Sequence, residues 1–219
     1  FGDGNSTVTS VTIPNGVTII GEDAFFRCRS LASITIPEGV TSIGNSAFRS
    51  CTSLASITIP ESVTSIGYAA FRSCTSLASI TIPESVTSIG YAAFQSCTNL
   101  TSITVDADNS NYSSVDSVLF NKLQTLLMEY PAGILDNSYT IPNGVTSIVD
   151  YAFDGCTNLT SIIITDSVTS IGDYAFDDCY NLTSITIPHS VTSIGYNATR
   201  SCTSLTSITV DAGNLNYSS

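Results

Sequence analysis

Hydrophobic and polar residues alternate along this chain in a pattern that returns every 23 residues. The repeated unit reads L-x-S-I-T-I-P-x-x-V-T-S-I-G-x-x-A-F-x-x-C-x-x. Its copies begin at Val8, Leu31, Leu54, Leu77, Leu100, Asp136, Leu159, Leu182 and Leu205. A fixed period of this length is typical of proteins that stack one supersecondary unit on the next. We therefore predict a solenoid in which each unit forms one coil.

Each unit contains two short extended segments and a corner. In S-I-T-I the isoleucines alternate with Ser and Thr, which predicts a strand with one buried face. Pro37 should end that strand, because proline cannot continue a central ladder. V-T-S-I-G predicts a second strand with Val40 and Ile43 inward, followed by a bend at Gly44. A-F-x-x-C predicts a helical or 3₁₀ turn that points its Ala, Phe and Cys into the core.

Stacking should place equivalent residues of successive coils in columns. One predicted column consists of Phe25, Phe48, Phe71, Phe94, Phe153 and Phe176. Thr199 interrupts it, so we expect looser packing there. The seven cysteines occupy one slot of the unit, which favours buried thiols over disulfides. They lack the short C-x₂₋₄-C spacing of a zinc site.

The unit at residues 100–135 is 36 residues long and departs from the repeat after Val105. Two β-rich runs, 118–120 and 125–130, surround a short polar link and predict a β-hairpin. We expect this hairpin to project from the solenoid or to pack along one side, where such insertions often carry binding. Residues 210–219 repeat the departure seen at 105–114. We therefore interpret residues 1–219 as a single solenoid and as a fragment of a longer array.

Charge limits the classes of partner. Only 11% of the residues are charged, the formal net charge is −12, and Lys and Arg together number six. Such a chain cannot build a surface that follows phosphates, so nucleic acid and anionic membrane surfaces are unfavourable partners. No apolar run reaches the length of a membrane span, so we expect no membrane insertion in this fragment. Uncharged Ser and Thr should dominate the surface.

The motif L-x-S-I-T-I-P-x-x-V-T-S-I-G-x-x-A-F-x-x-C resembles the BspA-like, or Treponema pallidum-type, leucine-rich repeats. The resemblance covers essentially the whole chain. It implies an α/β but mostly β solenoid, a right-handed superhelix whose S-I-T-I strands form a parallel concave sheet. It also implies a surface protein that adheres to host proteins or cells. Asp136, Tyr139, Thr165 and Thr199 depart from the consensus and should weaken packing locally.

Two hydroxyl columns on the S-I-T-I strands form the first candidate site. Their members are Ser33, Thr35, Ser56, Thr58, Ser79, Thr81, Ser102, Thr104, Ser184 and Thr186. With about 4.8 Å between strands, such a lattice can bind a protein strand or a sugar, or order water as ice-binding solenoids do. The alternative is a merely solvated strand face, because Thr is common in strands and Ser is an inexpensive solvated neighbour.

Stacked carboxylates form the second candidate site. Asp150 and Asp173 share one row of the repeat, while Asp154 and Asp177 share another, beside Asp178. Carboxylates stacked about 5 Å apart repel each other, and a Ca²⁺ ion binds through several oxygen ligands. The pattern therefore offers a weak calcium candidate, and its alternative is a solvated acidic face.

Catalytic and cofactor signatures are missing from the sequence. His189 is the single histidine, so no Ser/His/Asp or Cys/His arrangement can be assembled convincingly. We predict a non-catalytic module without a cofactor, in a secreted or cell-surface protein. It should bind a protein ligand, such as a host extracellular-matrix or cell-surface protein. The alternative functions are a structural spacer stalk and an ice- or carbohydrate-binding surface.

Overall fold

The structure, a computed structural model, describes residues 7–217. Two strand rows run along the solenoid, one from each extended segment of the unit. The strands of the first row are β1 (Ser10–Thr12), β3 (Ser33–Thr35), β6 (Ser79–Ile82), β8 (Ser102–Val105), β12 (Ser138–Thr140), β14 (Ser161–Ile163), β16 (Ser184–Ile187) and β18 (Ser207–Val210). Those of the second row are β2 (Ile19–Ile20), β4 (Ser42–Ile43), β5 (Ser65–Ile66), β7 (Ser88–Ile89), β13 (Ser147–Ile148), β15 (Ser170–Ile171) and β17 (Ser193–Ile194).

Within each row, neighbouring coils pair as parallel strands in the register of the repeat. Ser184 pairs with Ser207 in the first row, and Ile43 pairs with Ile66 in the second, in each case one unit of 23 residues along the chain. This register keeps the isoleucine columns, such as Ile34 and Ile43, on the inner side, because a shift by one residue would turn them to the solvent. The predicted solenoid with about 23 residues per turn is confirmed.

The third side of each coil, around A-F-x-x-C, consists of consecutive turns. Residues 7–217 contain no helix, so the expected helical or 3₁₀ corner is wrong. Ser46 and Ser50 have φ values of 52° and 61°. Such left-handed residues break a right-handed helix. Neighbouring corners are joined instead by backbone hydrogen bonds, such as Phe48 N–H to the Ala70 carbonyl at 2.8 Å.

Gly21, Gly44, Gly67 and Gly90 occupy the same slot of successive coils and are here called the glycine row. From Gly44 onward, the close approach of the preceding coil leaves no space for a side chain at this slot. A Cβ atom at Gly90 would lie 2.6 Å from the carbonyl carbon of Gly67 in the preceding coil. At Gly21, the first member of the row, a Cβ atom would meet nothing within 4 Å. Gly90 does not have a positive φ, so the bend expected from the sequence does not explain why this slot holds glycine. The reason is the lack of space for a Cβ atom.

The aromatic column stacks in two runs, one from Phe25 to Phe94 and one from Tyr130 to Phe176. The Phe71 ring centroid lies 5.4 Å from that of Phe48 and 5.8 Å from that of Phe94, with interplanar angles of 2° and 6°. Tyr130 of the long unit begins the second run and stacks on Phe153 at 5.2 Å. Because Tyr130 departs from the consensus spacing, the sequence pattern had left the long unit without a member of the column.

All seven cysteines are free and buried, as the shared slot predicts. Each thiol from Cys51 onward donates a hydrogen bond to a carbonyl of the preceding coil, for example Cys74 Sγ to the Phe48 oxygen at 3.1 Å. Burial is the main cause that raises the pKa of Cys51 to about 12. The cysteine column therefore consists of neutral thiols that pack and join neighbouring coils.

The long unit adds a three-stranded antiparallel segment to the second row. Its strands are β9 (Tyr112–Val115), β10 (Val118–Asn121) and β11 (Leu126–Glu129). β10 pairs antiparallel with both neighbours, and β11 also pairs in parallel with β13. Asp116 and Ser117 both have positive φ, at 49° and 70°, which suits a two-residue hairpin turn.

β10 is enclosed by the core, so the expectation that this segment projects from the solenoid is wrong. Val118, Leu119 and Phe120 are at most 1% exposed. Leu119 belongs to the hydrophobic core that begins at Ile20, whereas Val118 and Phe120 belong to a second core that extends to Cys202. A strand with successive side chains on opposite faces thus separates two cores, which explains its unbroken apolar sequence.

Candidate functional site

The outer side of the first strand row carries an uncharged hydroxyl surface, here called the Ser/Thr face. In every strand of this row within residues 7–217, the outward side chains are Ser or Thr, with Ile163 as the exception. Of the predicted positions, all are exposed except Ser102, which is half-buried. The members are Ser33, Thr35, Ser56, Thr58, Ser79, Thr81, Ser102, Thr104, Ser184 and Thr186. The structure therefore presents these side chains together to solvent.

The hairpin turn of the long unit divides this face into two parts. Ser117 accepts a hydrogen bond from the Ile103 N–H through its carbonyl, at 3.1 Å, and its hydroxyl lies 3.3 Å from that of Ser102. The turn thus covers the free edge of β8, and the strands from β12 to β18 form a separate sheet. A continuous flat lattice, as ordered water would need, is interrupted at this point.

The acidic residues fall into two separate groups. Asp154, Asp177 and Asp178 offer ligand oxygens within 4.8 Å of one another. Asp150 and Asp173 do not join them, because each accepts a backbone hydrogen bond from the next coil. Asp150 Oδ1 lies 2.8 Å from the Asp173 nitrogen, and Asp173 Oδ1 lies 2.6 Å from the Tyr196 nitrogen. The five residues predicted as one calcium candidate are therefore not brought together.

Asp154 and Asp177 lie in the interior, so a solvated acidic face is the wrong interpretation for this row. They are 2% and 0% exposed. Gln95 Nε2 and Ser96 Oγ donate to Asp154 at 3.1 and 2.8 Å, across the long unit. Arg200 Nε donates to Asp177 at 2.9 Å. Burial raises the pKa of Asp154, and the two hydrogen bonds oppose that effect. These contacts already satisfy much of the charge that a cation would neutralise.

Sequence reasoning missed Glu129, a carboxyl in the corner of the long unit. Four residues separate Ile148 from Phe153, but only two separate the equivalent Leu127 from Tyr130. The shortened corner draws Glu129 inward, to 6% exposure. Burial and the nearby charge of Asp154 raise the pKa of Glu129 well above its usual range. The sequence-level signal was the two-residue deficit, which becomes visible only once Tyr130 is aligned with Phe153.

The polar residues at the start of the long unit have a structural role, because Asn109 is buried and bonds to the preceding coil. Asn109 is fully buried, and its amide nitrogen donates to the carbonyls of Pro83 and Val86 at 2.8 and 3.0 Å. Its oxygen accepts from the Tyr112 N–H at 2.8 Å. Asn214 makes the same contacts in the second irregular copy, to Pro188 and Val191. The side chain thus replaces the coil-to-coil contacts that the repeat would otherwise make.

A family profile decides the relationship of this chain to known proteins. The profile described as "BspA type Leucine rich repeat region" matches six copies, over residues 3–126 and 135–219. The chain belongs to the BspA-type leucine-rich repeat family. Membership agrees with the strand rows and the A-F-x-x-C corner, which recur in the regular coils. Among curated proteins, none matches the chain significantly.

Solved bacterial structures share this BspA-type fold. A leucine-rich repeat protein from Eubacterium ventriosum is 34% identical, with a TM-score of 0.83 over 94% of this chain and 60% of that one. A leucine rich cell surface protein from Faecalibacterium prausnitzii is also 34% identical, with a TM-score of 0.65 over 88% and 63%. The pneumococcal vaccine antigen PcpA is 25% identical, with a TM-score of 0.82 over 96% and 62%. This chain spans about three fifths of the length of each of these structures.

Within the described part of this BspA-type chain, residues 7–217, no helix is long and apolar enough to cross a membrane. The relatives above include a protein described as a leucine rich cell surface protein.

Proposed function

We propose that this chain is a non-catalytic adhesion module of a secreted or cell-surface protein, and that it binds a protein ligand through the Ser/Thr face. The observation that carries the proposal is the repeated outward Ser and Thr of the first strand row, in which Ile163 is the one exception within residues 7–217. Membership of the BspA-type family and the description of the Faecalibacterium relative as a cell surface protein support the same proposal.

A hydroxyl surface suits protein recognition because removing its water costs less free energy than removing water from a charged surface. Removing a charge from water is far more unfavourable than removing a hydroxyl, which can exchange its water for a partner's carbonyl or amide. Each Thr also offers a methyl group, and Ile163 adds an apolar contact with 58% exposure. A partner from the extracellular matrix or a host cell surface would meet a neutral, patterned surface here.

The side chains suited to nucleophilic chemistry support the non-catalytic part of the proposal. The seven thiols are buried and neutral, as described above. His189 lies on the surface and pairs with Asp166 at 3.5 Å, with both side chains more than half exposed. Beyond the effect of burial, the carboxyls of Glu129 and Asp154 near Cys97 and Cys156 raise the pKa of these thiols further, which is the opposite of activation.

Surface plasmon resonance of the purified chain against extracellular-matrix proteins tests this proposal. The double variant Thr58→Lys/Thr81→Lys places two charges on the Ser/Thr face and should weaken binding of any hit at least tenfold. Its matched control is Thr64→Lys/Thr87→Lys, which places the same charges at exposed positions directly before β5 and β7 of the second strand row. Equal binding by both variants would remove the Ser/Thr face as the site. A folded chain with no hit would favour a spacer role.

A further inference from the structure

A cavity of about 370 Å³ lies beside the shortened corner of the long unit. Its walls come from the coil that holds β7, from β10 and β11, and from the residues after β13. Ile89, Ala93, Phe94, Leu119 and Met128 make the interior apolar. Tyr91 and Leu126, which are 67% and 36% exposed, lie at its mouth.

The Glu129 side chain lines this cavity, and no hydrogen bond or ion pair satisfies it within residues 7–217. A buried carboxyl without a partner is unfavourable, because desolvation penalises its charged form. Elsewhere in the molecule buried carboxyls are supplied with donors, as Asp154 is by Gln95 and Ser96. Glu129 is therefore an acceptor aimed at the space beside it.

The charges around the cavity define the class of ligand. Glu129 and Asp150 are its charged lining residues, and no Lys, Arg or His joins them. An anion would meet only repulsion, whereas a cation would meet the carboxyl at the inner end. The apolar walls offer few ligands to a hydrated metal ion and favour an aliphatic chain.

We propose that this cavity binds a primary ammonium group carried on a short aliphatic chain, with the Glu129 carboxylate as its counter-ion. The ammonium would supply three donors to an acceptor that has none. Its positive charge would stabilise the ionised form of Glu129. The aliphatic chain would lie between Ile89, Phe94 and Met128. This site lies on the second strand row, so it is independent of the proposed role of the Ser/Thr face.

Such an ammonium can come from a lysine of a protein or from a free amine. A polar groove of about 420 Å³ continues from Tyr91 and Leu126 past Ser147, Ser170 and Ser193. A polypeptide whose lysine entered the cavity would have its backbone beside this groove, whereas a free amine would leave the groove empty. The two sources thus differ in what they contact outside the cavity.

Binding of n-pentylammonium, followed by backbone amide chemical shifts at pH 8, tests the site. We expect saturable shifts at Ile89, Phe94 and Met128, with n-pentanol at least tenfold weaker. Glu129→Gln keeps the shape of the side chain, removes the charge, and should weaken n-pentylammonium at least tenfold. Glu61→Gln, an exposed position in another coil, is the charge-matched control and should leave binding unchanged.

Two short peptides distinguish the sources, one with a central lysine and one with norleucine in its place. A lysine peptide that binds more tightly than n-pentylammonium assigns the site to a protein partner, and one that binds more weakly assigns it to a free amine. The proposal is overturned by Glu129→Gln binding n-pentylammonium as wild type does, by n-pentanol binding equally well, or by no saturable shift. Circular dichroism of each variant confirms that the fold is kept.

Discussion

Removal of the Phe71 ring measures how much the aromatic column stabilises the solenoid. Phe71 is fully buried between two parallel rings, at 5.4 and 5.8 Å. Truncation of a buried Phe to Ala costs about 3–5 kcal/mol, through lost burial and the remaining cavity. Each stacked pair adds about 0.5–1.5 kcal/mol beyond burial. Phe71→Ala should therefore lower the free energy of unfolding by about 5 kcal/mol.

Phe176 gives an internal comparison, because its ring stacks on Phe153 alone and has Thr199 on its other side. Phe176→Ala should cost about 1 kcal/mol less than Phe71→Ala, the value of one stacked pair. Tyr68→Ala is the matched control in the same coil as Phe71. That side chain is 48% exposed and should change stability by less than about 1 kcal/mol.

Urea unfolding, followed by circular dichroism with the slope m compared between variants, provides the assay. Since each coil contacts only its neighbours, a smaller m in a variant would report separate unfolding of part of the array. A loss below about 2 kcal/mol for Phe71→Ala, or an equal loss for Tyr68→Ala, would refute the argument that the column carries the packing.

Three further predictions concern the glycine row, the thiols and Glu129. Gly90→Ala should destabilise the fold by several kcal/mol in urea unfolding, because its Cβ atom would lie 2.6 Å from the Gly67 backbone. Gly21→Ala, where a Cβ atom would meet nothing within 4 Å, should be nearly neutral. Equal effects of the two substitutions would contradict the steric reason. Cys51, with its pKa raised to about 12, should resist Ellman's reagent at pH 8 until urea unfolds the chain, and rapid labelling of the folded protein would show otherwise. Since burial raises the pKa of Glu129, the folded state holds the carboxyl proton more tightly than the unfolded state. The contribution of this proton to stability is therefore full below about pH 4, and it is lost as the pH rises toward the pKa of the folded state. Glu129→Gln should therefore be more stable than wild type at pH 8, with a difference that shrinks toward pH 4; a difference independent of pH would exclude this cause.

The regular coils could be predicted from the sequence because one physical pattern repeats in them. Alternation of Ile with Ser and Thr fixed the buried face, and the shared slot of the cysteines indicated free thiols. The corner was harder, since A-F-x-x-C suits a helical turn equally well. Left-handed residues such as Ser46 arise from coil-to-coil hydrogen bonding, which a single unit does not reveal.

The long unit could not be predicted in detail, because its contacts depend on how many residues its corner contains. Asp154 reaches Gln95, 59 residues earlier, across a unit that is longer in sequence but shorter at its corner. The 23-residue period correctly places Asp177 beside Asp154 in the following coil. It does not indicate which residue lies beside Asp154 on the preceding side, where the structure has Gln95. The buried position of Glu129 and its cavity follow from the same deficit, so both were missed.

The antiparallel segment β9–β11 has a consequence for the order in which the chain folds. Its strands join residues close in sequence, such as Val115 with Val118, whereas neighbouring coils join residues 23 apart. Closing a short loop loses less conformational entropy than closing a long one, so local pairings form first. Once β10 has paired with β9 and β11, it presents one apolar face to each of the two cores. We expect the long unit to act as a folding nucleus from which coils add in both directions along the chain.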